Sequence, residues 1–235
     1  MSDSAALDSF LEKWRARWPE WSVAEVYVAT PRRDVVVAWF ALLQEFDDIL
    51  NIAGDPLPAD AKLAWWGEEL RGWAGQRSRH PLGRRLEPMR ADWAQLADAL
   101  PLLAEARARP EDRNAAMAIL SPYGDAVAAV ESVVLGRKPT RAGVVAQMLG
   151  TRLTDVGAAA VPADVLQGRD DTAGMRAWAG LLLEQWPLRE GARERRLLSA
   201  YAHGRLRRFA RQGEPAPLPS RASLLFTGWR AARGG

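Results

Sequence analysis

The sequence contains no cysteine. That removes disulfides, thiolate zinc sites and cysteine nucleophiles from consideration. It has only two histidines, His80 and His203, which suits neither a multi-histidine metal site nor a Ser-His-Asp triad. Glycine-rich phosphate loops are missing, and β-branched runs are few. No apolar run approaches the roughly 20 residues of a transmembrane helix, and the polar, acidic N-terminus does not read as a secretory signal. The expectation is a cytoplasmic protein, with peripheral contact at the inner face of a membrane left open. A strong net field is also lacking. The formal charge is +3, and the pI of about 9.7 reflects abundant arginine.

What is present is helical. At 235 residues and 48% hydrophobic content, the chain can bury one sizeable core or two small ones. Alanine, leucine and arginine dominate, and apolar residues recur at spacings of three and four. The pattern predicts an all-α protein with helices over Ser4–Trp18, Arg32–Ala53, Ala59–Gly75, Leu86–Ala106, Pro110–Gly136, Arg141–Ala159, Thr172–Gln185 and Gly191–Gln212. A last short helix is expected over Ser220–Ala232. Breaks fall at Trp18-Pro19, Thr30-Pro31, Gly54-Asp55-Pro56, His80-Pro81, Lys138-Pro139 and Gly213-Glu214-Pro215. Asp60 and Thr140 are candidate N-caps. With no internal repeat and no long linker, the expectation is a single domain over residues 1–235. Eleven tryptophans, among them Trp65, Trp66, Trp73 and Trp93, serve either core packing or the wall of a roomy apolar cavity.

The segment from Arg32 to Leu70 carries the chemistry. Asp47 and Asp48 interrupt an otherwise apolar helical run, and an unpaired buried carboxylate costs on the order of several kcal/mol. A Mg²⁺ ion takes octahedral oxygen coordination from one or two carboxylates plus phosphate and water. Two aspartates at i and i+4 share a helix face and would supply it. Here the i+4 position after Asp47 is Asn51, which offers a neutral oxygen. The alternative is that Asp47 and Asp48 are the polar edge of an amphipathic helix.

The stretch PRRDVVVAWFALLQEFDDILNIAGDP, followed by AKLAWWGEELRGWAGQRSRHPLGRRL, resembles the squalene/phytoene synthase family. Its members carry an "ALYAFCREVDDIVD"-like helix, a Gly/Asp/Pro turn, and "KLAWWREEL" and "HPLARAL" segments. The C-terminal RRLLSAYAHGRLRRFARQGEPAPLPSRASLLFTGWRAA also looks like the family's closing helices. The likeness runs from about Trp21 to Ala232, and the chain looks short for the family after Asp155. The resemblance implies an isoprenoid-synthase (terpenoid synthase-like) helical bundle and head-to-head condensation of two prenyl diphosphates. Two aspartate-rich motifs on facing helices would hold Mg²⁺, and an apolar tunnel would shield the allylic cation.

The chain departs from that pattern where charge matters. Asn51 stands where the first motif ends in Asp, Gln44 where the family has Arg, and Phe40 where it has Tyr. The second motif aligned on Asp155-Val156-Gly157 puts Met148 at the family Gln, Thr151 at the Asn, Thr154 at the Arg and Ala159 at the last Asp. The resemblance thus implies residual diphosphate and metal positions at Asp47, Asp48, Asn51 and Asp155, with Asp47 and Asp155 as metal ligands. It places Phe40, Gln44, Met148 and Thr151 on the cavity side. Losing one preorganised electrostatic partner costs about 3 kcal/mol, and tenfold in rate is about 1.4 kcal/mol. The expectation is a degenerate member acting as an isoprenoid- or lipid-binding or assembly protein. The family's non-catalytic members, which assist assembly of respiratory complex I, are the precedent. The alternative is a working Mg²⁺-dependent prenyltransferase of the phytoene/squalene type.

Other features weigh less. Arg189, Arg193, Arg195, Arg196, Arg205, Arg207, Arg208 and Arg211 crowd the C-terminal third. They read as solvated helix faces, or as contacts to a membrane surface or a protein ahead of nucleic acid. His80, His203, Glu68 and Glu69 read as structural, with Glu68 paired to Arg71 at i+3.

Overall fold

A computed structural model describes residues 3–234. Helix makes up 74% of it, and no strand forms among the described residues. In chain order the helices are α1 (Asp3–Arg17), α2 (Trp21–Ala24), α3 (Arg33–Leu50), α4 (Leu57–Ala74), α5 (Gly83–Leu86), α6 (Trp93–Ala99) and α7 (Leu102–Glu105). They continue as α8 (Arg113–Val134), α9 (Arg141–Val156), α10 (Ala163–Leu166), α11 (Asp171–Glu184), α12 (Arg193–Gln212) and α13 (Arg221–Arg233).

Helix α3 is the axis of the bundle. It is buried without interruption from Val36 to Leu42, the signature of a helix with neighbours on all sides. Helices α1, α4, α5, α7, α8 and α9 all touch it. Helix α9 then joins α8 to α12, and α12 joins α11 to α13. Gly124 lets α8 and α9 meet closely, because a Cβ there would fall 2.9 Å from Val145 Cγ2 and 3.0 Å from Arg141 Cγ.

The tryptophans fill the interior. Trp66, Trp73 and Trp93 are fully buried and meet edge to face, with ring centroids 6.2 Å and 5.1 Å apart along the series. Trp39 lies 6.2 Å from Trp93. On the other side of α3, Trp14 and Trp21 enclose the Phe40 ring at 5.8 Å and 5.5 Å. Such pairs add roughly 0.5–1.5 kcal/mol beyond area burial. Trp65 alone of the four singled out in the sequence is exposed.

Three expectations need correction. The helix expected over Leu86–Ala106 is broken into pieces, with Arg90 at φ +52° between α5 and α6 and Pro101 before α7. Prolines 88 and 101 cannot continue a helix through their own backbone nitrogens. Asp60 is no N-cap, because α4 starts after Pro56 and Asp60 instead pairs with Arg107. Arg71 pairs with Asp98 at 2.7 Å rather than with Glu68. Thr140 does cap α9, accepting from the Gly143 backbone N–H at 3.3 Å. Helix α8 is long and apolar enough to cross a membrane by length and composition alone, although half of that stretch is buried in the bundle.

That same helix carries Glu131, fully buried at the centre. Arg195 of α12 meets it with two guanidinium nitrogens, one at 3.0 Å, and Trp39 Nε1 donates to it at 2.8 Å. Arg195 also donates to Gln147 Oε1 at 3.0 Å and lies over the Phe40 ring at 5.4 Å. Breaking a buried pair leaves an uncompensated charge. Glu131→Ala should therefore lower the unfolding free energy by about 3–5 kcal/mol, whereas a Glu131→Leu/Arg195→Met double variant should recover most of the loss. Urea denaturation of the two variants measures both.

Candidate functional site: a closed carboxylate cluster

The acids singled out in the sequence do converge. Asp47 and Asp48 sit on the last turn of α3, and Asp155 sits on the last turn of α9, which packs beside it. Between them lies a cation from the chain itself. Arg17, the last residue of α1, places one guanidinium nitrogen 2.9 Å from Asp155 Oδ2 and 3.4 Å from Asp48 Oδ1. Lys13, one turn earlier, approaches Asp48 Oδ2 at 4.0 Å.

Neutral side chains complete the cluster. Gln44, one turn before Asp48 on α3, donates to Asp48 Oδ1 at 2.9 Å and accepts from Trp18 Nε1 at 3.2 Å. Asn51 donates to Asp155 Oδ2 at 3.5 Å, and its oxygen accepts from Arg152 at 3.2 Å. Arg152 is buried with no carboxylate partner among the described residues. It is held by backbone carbonyls, donating to Leu50 O at 3.1 Å and Arg107 O at 2.7 Å. Arg107 in turn donates to Ile49 O at 3.3 Å. Two arginines thus satisfy the open carbonyls at the C-terminus of α3, where the helix dipole favours positive charge. Burial, and then the like charge of Arg107, pull the Arg152 guanidinium below its ordinary pKa.

The main chain at Arg17 is fixed, while its side chain is 43% exposed. Arg205 of α12 grips Glu20 through two nitrogens at 2.8 Å and 2.6 Å, donates to the Arg17 carbonyl at 2.9 Å, and stacks over Trp18 at 4.0 Å. The end of α1 is therefore tied to α12 at the point where Arg17 leaves the helix.

Thr151 and Asp155 line a cavity of about 50 Å³ with Gln44, Arg17 and Arg205. Gln147, two turns before Asp155, lines it too. Met148, expected on the cavity side, is a buried core residue outside that lining. It lies about 100° round the helix from Gln147. The Thr151 hydroxyl is spent on its own helix, donating to Gln147 O at 3.1 Å. Phe40 faces Trp14, Trp21 and Arg195.

Among the described residues no group of three or more His, Asp or Glu side chains is placed to hold an ion. Asn51 turns its oxygen to Arg152, and Arg17 occupies the space between Asp48 and Asp155. As placed, the carboxylates fit a guanidinium and do not fit an octahedral Mg²⁺ site.

Glu69 and His80 are held by contacts within the bundle. Glu69 is buried and accepts from Trp73 Nε1 at 2.8 Å, from the Arg79 and His80 backbone N–H groups at 2.7 Å, and from Arg79 Nε at 3.0 Å. The His80 ring packs on Phe10 at 4.5 Å and Trp66 at 4.6 Å, and burial lowers its pKa to about 4. The sequence reading missed Arg17, Glu20, Glu131 and Arg152 as members of these networks. Glu131 alone carried a signal, an acid inside an apolar helical run.

Comparisons place the fold in a known architecture. No protein-family model matches the chain, and no curated protein matches it. The structure is similar to the crystal structure of squalene synthase HpnC from Alicyclobacillus acidocaldarius. The TM-score is 0.53 at 17% identity, over 97% of this chain and 92% of that one. The fold is the all-α terpenoid-synthase bundle.

Asp47 makes no hydrogen bond or ion pair among the described residues. Burial, then the charges of Asp155 and Asp48, push its carboxyl well above the ordinary range, with Arg17 and Arg195 opposing. The folded state then holds that proton more tightly than the unfolded chain. Stability from this group is present below the ordinary carboxylate pKa and is lost as pH rises through the raised value. Asp47→Asn should accordingly raise the unfolding free energy at pH 7 and above, with the gain shrinking toward about pH 4. Denaturation of both proteins across that range reads the difference.

Proposed function

We propose that this chain is a squalene/phytoene synthase-type protein whose diphosphate site is closed by its own arginine, and that it serves as an assembly protein without prenyl transfer. The observation that carries the reading is Arg17 bridging Asp48 and Asp155. In a working site of this kind, those carboxylates would hold metal and the metal would hold diphosphate. Here the negative charge is neutralised before any substrate arrives.

Two further observations support it. Gln44 and Asn51 are bound to neighbours inside the protein and add no charge toward an anion. The space at the carboxylates is about 50 Å³, whereas pockets for drug-sized ligands run roughly 300–1,000 Å³. Trp39, Phe40, Phe46, Tyr123 and the Arg195–Glu131 pair fill the interior beside it, which favours a protein partner over a carried isoprenoid. The family's complex I assembly proteins supply the nearest precedent for such a role.

The alternative is a Mg²⁺-dependent enzyme condensing two prenyl diphosphates. It draws on the convergence of Asp47, Asp48 and Asp155. One assay separates the two. The purified chain is incubated with Mg²⁺ and farnesyl or geranylgeranyl diphosphate, and released diphosphate is measured. The expected result is no release above the protein-free blank. Mg²⁺-dependent release that disappears in Asp47→Ala would overturn the proposal.

A further inference from the structure

Helix α13 is attached to the bundle in an unusual way. Four of its backbone carbonyls accept from side chains of the bundle, while Leu224, Ala231 and Ala232 supply its apolar contacts to the core. Tyr201 donates to Leu224 O and Tyr27 to Leu225 O, each at 3.0 Å. Buried Arg196 donates to Ala231 O at 3.0 Å and Ala232 O at 3.3 Å, which satisfies carbonyls at the helix end. Gly228 lets the helix lie flat, since a Cβ there would be 2.6 Å from Tyr201 Oη and 2.8 Å from Tyr27 Cε2. Leu224 is the one large apolar side chain of the helix that is buried.

The other large apolar residues point outward. Leu225, Phe226 and Trp229 are 42%, 58% and 43% exposed. Their spacing puts them on one face, with Arg230 four residues after Phe226 and Arg233 four after Trp229. The Phe226 and Trp229 rings stack at 5.8 Å. Arg233 covers Trp229 at 4.8 Å, and Arg230 lies 6.0 Å from Phe226. From Pro215 to the last residue the chain holds three arginines and no acid.

From this face we infer that α13 docks on an anionic phospholipid surface. An interfacial helix presents aromatics to the headgroup and acyl boundary and cations to lipid phosphates. Each basic residue near an anionic leaflet strengthens binding by roughly fivefold. The charge complementarity is one-sided, because the exposed rings have only arginines along the helix beside them. The long arginine stems can also lie along the rings while their heads stay in the headgroup layer. This surface is separate from the carboxylate cluster and stands whether or not the chain catalyses anything.

The test is co-sedimentation of the full chain with vesicles of phosphatidylcholine alone, or of phosphatidylcholine mixed with phosphatidylglycerol. Binding should favour the mixed vesicles and weaken with added salt. Phe226→Ser/Trp229→Ser should reduce it by about tenfold or more. Both substitutions lie on the solvent face, so an unchanged Tm confirms the fold. Arg230→Gln/Arg233→Gln should erase the preference for anionic vesicles. Failure to bind either vesicle, as for a face shaped to a protein, would overturn the inference. So would equal binding by the Phe226/Trp229 variant.

Discussion

A carboxylate taken out of water inside a helical bundle must meet a cation or give up its charge. This chain places buried or half-buried acids on α3, α4, α8, α9 and α12 and on the connection after α1, and arginine or lysine answers nearly all of them. Arg195 meets Glu131, Arg205 meets Glu20, and Arg17 is shared by Asp48 and Asp155. Glu45 is met by Lys13 and Lys62, which hold its carboxyl below the ordinary range against the opposing effect of burial. Asp47 is the exception, and it is the acid whose proton affinity rises well above normal. The site is thus one part of a charge-balancing scheme that runs through the bundle.

The pairs are also mechanically connected. Arg205 grips Glu20, holds the Arg17 carbonyl and stacks on Trp18. Trp18 then donates to Gln44, and Gln44 to Asp48. The end of α1 is thereby tied to α3 and α12 together. Groups that act as a linked network are held more firmly than pairwise contacts suggest. The main chain at Arg17 is held by this network, while its 43% exposed side chain makes the ion pairs to Asp48 and Asp155.

Much of this architecture was legible in the sequence. Helical spacing and Pro/Gly breaks located the long helices, and the Thr140 cap fell where expected. The Leu86–Ala106 run was misread because apolar spacing continues through Pro88 and Pro101 while the backbone cannot. At the site, Asp47, Asp48 and Asp155 were found from residue type and motif likeness. Their neutraliser was not, because Arg17 is 31 and 138 residues away from the two carboxylates it bridges, and local spacing carries no trace of such pairs. The placing of Met148 on the cavity side came from the motif alignment rather than from spacing. Ideal helix spacing puts Met148, seven residues before Asp155, nearer the Asp155 side than Gln147, yet Gln147, about 100° away round α9, is the side chain that lines the cavity. Glu131 is the instructive omission, since the criterion that exposed Asp47 and Asp48 applies equally to an acid within AVAAVESVV.

The arginines of the C-terminal third show how composition misleads about surfaces. Counted along the chain, Arg189 to Arg211 look like one basic face. In the folded protein Arg195 and Arg196 are buried, and Arg205 is committed to Glu20. Arg196 spends its donors on the Gly191, Ala231 and Ala232 carbonyls. The effect of that burial appears one helix later. Because α12 supplies polar donors to the backbone of α13, α13 needs few apolar contacts of its own to stay attached. Its aromatic residues are released from core duty and face outward beside Arg230 and Arg233. A helix so anchored can carry a hydrophobic exterior without coming loose from the bundle, which is the physical requirement for a docking surface built on a terminal element.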